Sequence, residues 1–195
     1  ACQEASRQEI IRRFFQSANR FALDEAGKEE VYTQELLLKQ AKVSPTDRAI
    51  VGIARSLREQ THSEAAAMEM KDGRIITGKT KSLLGPCSSV LLNAVKALGG
   101  INDAIDLISP NYIGPIQKLK TRYLGSKNPR LHTDEVLIAL SMCAVTDPNA
   151  GKALAQLPEL RGCQLHVTAM LSDADLKICK KLGIELTNDT AFTLN

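Results

Sequence analysis

Apolar positions recur at spacings of three and four from Glu4 to about Phe21, with Ile10, Ile11, Phe14, Phe15, Ala18, Phe21 and Ala22 on one stripe. That period predicts an amphipathic helix. A second helix is expected from about Glu29 to Ala41, where Leu36, Leu37 and Leu38 are broad enough to bury two sides. Ser44-Pro45-Thr46-Asp47 then reads as a helix start, with Ser as N-cap, Pro where its missing N–H costs nothing and Asp closing the box. The helix that follows carries Ile50, Ile53, Ala54 and Leu57.

Past Ser63 the period becomes alternating. Ala65 to Met70 and Arg74 to Thr77 flank Asp72-Gly73, a strong hairpin signal if both turn residues take positive φ. After a polar loop, Gly85-Pro86 opens a helix whose Val90, Leu91, Ala94, Val95 and Leu98 cover most of its circumference. Such a helix is expected to lie buried against a sheet. Ala104 to Ile108 reads as a short strand. A helix from near Tyr112 to Leu124 would turn Ile113, Ile116, Leu119 and Tyr123 to the core. Helices from Thr133 and Asn149, a strand from Cys163 to Ala169, a helix boxed by Ser172 and Asp175, and a strand from Ile184 to Thr187 complete the order. The expected fold is α/β, a three-layer mixed sheet with an N-terminal β-hairpin. A helical lead, residues 1–62, would pack on an α/β domain of residues 63–195.

Composition narrows the function classes. The 25 basic and 22 acidic residues are interspersed, and four Phe, three Tyr and no Trp offer little for base stacking. Nucleic acid is therefore not an expected partner. No run approaches the ~20 apolar residues that span a bilayer. Five cysteines without C-x-x-C spacing suggest neither a zinc site nor a disulfide framework, so a reducing cytoplasm is expected.

Three groups of residues carry candidate chemistry. Gly73 to Thr80 satisfies G-x-x-x-x-G-K-[ST], but adjacent Ile75 and Ile76 are stiff β-formers and the helix begins several residues later, so a hairpin strand explains the match better. Cys87 lies in the first turn of a helix, where the dipole would lower a thiol's pKa. It is a candidate nucleophile, or else a small buried hydrophobe. Lys127, Asn128, Arg130, His132 and Asp134 crowd a loop before a helix start, an arrangement suited to a phosphate or carboxylate. Ser109 and Asn111 follow the expected strand end, the usual ligand edge of an open sheet. The expected site thus has Cys87 and His132 as catalytic candidates. Lys79, Thr80, Ser82, Ser88, Ser109, Asn111, Lys127, Asn128 and Arg130 would bind a small anionic ligand. No metal ligand set and no identifiable cofactor emerge.

The runs ACQEASRQEIIRRFF, KDGRIITGKTKSLLGPCSSVLLNAVKALGGI, LISPNYIGPIQKLKTRYLGSKNPRLHTDEVLIALSMCAVTDPNA and LPELRGCQLHVTAMLSDADLKICKKLGIELTND resemble the bacterial family catalogued as domain of unknown function eighteen-forty-six. The resemblance is to the C-terminal part of longer proteins. It implies a further N-terminal domain as a partner, carrying a glycine-rich phosphate-loop-like segment, and supplies no catalytic residues. Self-association is the other expected contact. The element order also looks like the cytidine-deaminase-like fold. In that fold a zinc ligand and a catalytic Glu begin the first helix and two Cys follow the third strand. Here Cys87-Ser88-Ser89 and Ser109-Pro110-Asn111 occupy those places, which leaves too few ligands for that zinc.

Overall fold

The alternating segments build a four-stranded mixed sheet of order β2-β1-β3-β4, with β1 at Ala65–Glu69, β2 at Ile75–Lys79, β3 at Gln164–Val167 and β4 at Glu185–Asn188. β1 runs antiparallel to both β2 and β3, whereas β3 and β4 are parallel. The computed structural model describes residues 2–190 and 193, with the side chain of Cys2 outside that description.

Helices cover both faces of the sheet. On one side lie α1 (Cys2–Ala22), α2 (Lys28–Ala41) and α3 (Ala49–Thr61), the last preceded by a 3-10 turn at Pro45–Asp47 with the expected capping box. Ile11, Phe14, Phe15, Val31, Leu38, Val43 and Val51 make one core there, and Ile50 and Ala54 press on Ala67 of β1. Of the Leu36–Leu38 triplet only Leu38 is buried, so α2 covers one side and not two. On the opposite face Ala66, Met68, Leu165 and Val167 meet α4 (Pro86–Gly99), α6 (Thr133–Cys143), α7 (Pro148–Leu154) and α8 (Asp173–Leu182). The period of two along each strand separates the two faces.

Three further expectations fail. Asp72 does not take positive φ; Gly73 N–H donates to Met70 O and Gly73 alone is left-handed, which makes a three-residue loop closed by the Met70 N–H to Arg74 O bond. Residues 104–108 form turns instead of a strand. Asn102 Oδ1 accepts the Ala104 N–H and Asn102 O accepts that of Ile105, so Leu107 and Ile108 are buried in the core and Ile105 packs half-buried against it. The third departure is in α5 (Pro110–Lys118), which contains Pro115 and passes into a π turn at Leu119–Tyr123. The wider turn rotates the face. Ile113 is buried, Leu119 and Tyr123 stand 50% and 67% exposed, and Lys120 goes inward instead.

Candidate functional site

Three helix N-termini converge beyond the ends of β2 and β3. A cleft of about 320 Å³ opens there, walled by Thr80 after β2, Gly85–Ser88 at the start of α4, Asn128, Arg130 and His132 before α6, and Ser172 and Asp175 at the start of α8. Gly85 is the N-cap of α4 and offers no side chain to its first N–H groups, which Pro86 at N1 reduces by one.

The loop before α6 is braced from behind. Lys120, buried by the π turn, donates to Arg130 O at 2.6 Å and to Glu135 Oε2 at 2.7 Å, and the same carboxylate oxygen accepts the His132 N–H at 2.8 Å. Asn128 Oδ1 accepts the Arg130 N–H at 3.1 Å, and Ser126 holds Asn128. Leu131 donates to Leu83 O, and Arg130 Nε donates to Lys81 O at 3.0 Å, tying the loop to the 81–84 segment. No carboxylate pairs with Arg130 among the described residues. Its guanidinium therefore keeps donors for a ligand.

Asp175 lies in the cleft wall but is consumed by its neighbours. Its carboxylate accepts the Thr133 N–H at 2.9 Å, the Thr133 hydroxyl, and the Ser172 hydroxyl at 2.8 Å. Ser172 in turn accepts the Asp175 N–H, which starts α8. Glu64 also lines the cleft and is exposed. Thr80 contributes a different feature: its Oγ1 is shut off from solvent and has no hydrogen-bond partner among the described residues.

Six of the residues expected from sequence come together here: Thr80, Cys87, Ser88, Asn128, Arg130 and His132. Lys79 and Lys127 are exposed and lie outside the lining, and Ser82 faces a neighbouring cavity. Ser109 and Asn111 cap α5, the hydroxyl accepting the Asn111 N–H, and line neither space. They lost their place when the expected strand before them did not form. Ser126, Ser172 and Asp175 also line the cleft without having been expected there; for Ser172 and Asp175 the reason is that a capping box in sequence signals only a helix start.

Cys87 does not have the lowered thiol pKa expected of it. Its Sγ is buried, 3.7 Å from Cys179 Sγ, and the thiol contact with Cys179, burial and the nearby Asp175 push its pKa well up. The Thr133 hydroxyl, 3.7 Å away, acts in the opposite direction without offsetting this. Cys87 packs in the wall as a small buried hydrophobe, the second of its two expected roles. Ser88 is also buried, donating to Leu131 O. Gly73 to Thr80 is a turn and strand β2, so its N–H groups serve the sheet instead of curling round a phosphate.

On the other face, fully buried His166 sits between Phe15 and Thr187, with Nε2 3.4 Å from Asp189 Oδ2, too poorly aligned for a hydrogen bond. Asp189 is held bidentately by Arg55. None of the described cavities reaches His166, so this group ties the helical face to the sheet. Among the described residues no three His, Cys, Asp or Glu side chains cluster to hold a metal ion, and no helix is long and apolar enough to cross a membrane.

A family model described as Domain of unknown function DUF1846, C-terminal, matches residues 46–195. The whole chain is 50% identical to a UPF0371 protein of Corynebacterium diphtheriae, and 98% of it is 42% identical to UPF0371 proteins of Streptococcus sanguinis and Streptococcus pneumoniae. The chain spans 39% of the length of these relatives.

Proposed function

We propose, taking as premise that this chain belongs to the family of Domain of unknown function DUF1846, C-terminal, that its cleft binds a small phosphate-bearing or nucleotide-like anion. The observation that carries this reading is the cleft itself: Arg130, whose guanidinium has no carboxylate partner among the described residues, and His132 line it together with the uncapped start of α4, and the unpartnered Thr80 Oγ1 lies in the same wall. Helix N-termini and a guanidinium together favour an anion. In this reading protein groups do the binding, without a metal held by side chains. His132 is the proton-carrying candidate, and Cys87 only shapes the wall. The sheet order with β1 antiparallel supports a deaminase-like fold without deaminase zinc chemistry, while the turns at 104–108 depart from that order. Buried, unpaired thiols support a cytoplasmic setting.

Calorimetric titration with inorganic phosphate, pyrophosphate and adenosine monophosphate tests the reading. Saturable binding of at least one, weakened tenfold or more in Arg130→Ala, is the expected result. Absence of binding by all three, or equal binding by the variant, would overturn it.

A second reading has its own observation. Ile138, Met142 and Val145 form an exposed stripe on and just after α6, and Leu119, Tyr123 and Leu124 of the neighbouring turn are also exposed. A stripe of this kind suits packing against the rest of a longer protein or against a second copy. Sedimentation velocity separates these: a dimer that Ile138→Glu dissolves supports self-association, and a monomer leaves the stripe to a domain outside the chain.

A further inference from the structure

A second cavity lies on the other side of the 81–84 segment and shares no lining residue with the cleft. Its volume is about 190 Å³. The walls are largely apolar, with Leu83, Leu84, Leu107, Ile108 and Ile113 opposite one face of α4. That face presents Ser89, Leu92, Asn93 and Lys96, the i, i+3, i+4, i+7 positions of a helical stripe.

Two polar groups inside it are unusually placed. Ser89 is 3% exposed, and its hydroxyl has no hydrogen-bond partner among the described residues. Lys96 is 8% exposed and donates to Asp103 O at 3.0 Å, which uses one of the three protons of its ammonium. No described carboxylate forms an ion pair with it; Asp106 and Lys81 line the same space, and both are exposed. Burying a cation and a hydroxyl in an apolar wall costs stability unless they meet partners. A packed core at these positions would call for Leu or Ala, which α4 uses on its other faces.

We propose that this cavity is a binding site for a small monocarboxylic acid, its carboxylate accepting from Lys96 and Ser89 and its short apolar body resting on Leu92, Leu107, Ile108 and Ile113. The size agrees with that class. A dry cavity of about 150 Å³ admits a benzene ring, whereas drug-sized ligands need 300 Å³ or more. The carboxylate supplies the charge that the lysine lacks, and apolar walls strengthen the pair by excluding water. Bulk phosphates are disfavoured by the same walls, so the two cavities select different ligands.

The experiment is heteronuclear NMR titration of the chain with hexanoate, benzoate, hexanol and hexylammonium, following amides of residues 89–96 and 105–113. Hexanoate or benzoate should shift those amides saturably at millimolar concentration or below. Hexanol should bind at least tenfold more weakly, and hexylammonium should not bind. Lys96→Met keeps the stem and removes the charge; it should weaken hexanoate tenfold or more and leave hexanol unchanged. Its amide spectrum reports whether the fold is kept, and Lys96→Arg, with the charge restored, should recover binding. Equal affinity of hexanoate for wild type and Lys96→Met would overturn the proposal, as would no saturable shift with either acid.

Discussion

Gly78 is where the phosphate-loop-like pattern can be put to a direct test. In the structure it faces Ala66 across the hairpin and lies directly under the first turns of α4. A Cβ placed there would stand 2.4 Å from Val90 N, 2.7 Å from Val90 Cα and 2.9 Å from Ser89 C, all backbone atoms of α4. No side chain can rotate away to make room. The helix must retreat by roughly 1 Å to restore ordinary contact, and a gap of that size forfeits a quarter to a half of the dispersion energy across the interface. Val90, Leu91, Ala94 and Val95 are fully buried along this helix, at ~1.5–3 kcal/mol each for the larger ones. Gly78→Ala should therefore cost about 3 kcal/mol, the upper end of overpacking. Gly52 is the control, since it is exposed on the outer side of α3 with nothing within 4 Å of an added Cβ. Gly52→Ala should stabilise by about 0.5–1 kcal/mol. Urea unfolding followed by circular dichroism measures both, and the Gly78→Ala midpoint should fall by about 1 M or more. A Gly78→Ala variant within about 0.5 kcal/mol of wild type would refute the close-approach explanation.

Two further outcomes follow from buried titratable groups. Burial raises the Asp189 carboxyl, but His166 and Arg55 outweigh it and hold the pKa at about 2 against an ordinary 3.8. The stability this contributes, roughly 2.5 kcal/mol, is present above about pH 4 and lost as pH falls towards 2. His166 is held below 6.5 by burial, partly opposed by Asp189; the unfolded imidazole takes up a proton that the buried ring resists, so loss of stability begins on acidification below that pH. Asp189→Asn should flatten the acid limb of a urea midpoint against pH profile, and an unchanged limb would contradict the assignment. Cys87, Cys143, Cys163 and Cys179 are all buried free thiols, so iodoacetamide at pH 8 should label them only on unfolding. Mass-spectrometric detection of Cys87 alkylated in the native protein at the rate of a free thiol would show that its raised pKa and burial are misjudged.

Much of the fold was legible from periodicity. Helical stripes located α1, α3 and α4, alternation located β1 to β3, and capping residues such as Ser44 before α3 and Ser172 before α8 marked starts that the structure keeps. The misses share a cause. Residues 104–108 and the turn at Leu119–Tyr123 are short stretches whose conformation depends on what packs against them. Asn102 turned the first, and the π turn brought Lys120 inward to hold Arg130 and Glu135. Of the polar cluster expected at Lys127 to Asp134, Asn128, Arg130 and His132 line the cleft and Lys127 does not, while Ser109 and Asn111 lie away from it along with the strand expected before them.

By itself the sequence determined most of the segments that form helices and strands, because hydrophobic spacing, caps and turn residues act within a few positions. It also determined that Gly73 to Thr80 runs from a turn into a strand, since Ile75 and Ile76 favour extended backbone. Only the tertiary structure decided what those segments do for one another. The nearness of Val90 to Gly78, the pairing of Cys87 with Cys179 across 92 residues, and the capture of the α6 start by Asp175 across 42 depend on chain crossings that no local pattern records. Burial decided the chemistry as well. A helix dipole would have activated Cys87 in water, but a neighbouring thiol and an apolar wall push it the other way, while Ser89 and Lys96, ordinary polar positions in sequence, end inside a cavity.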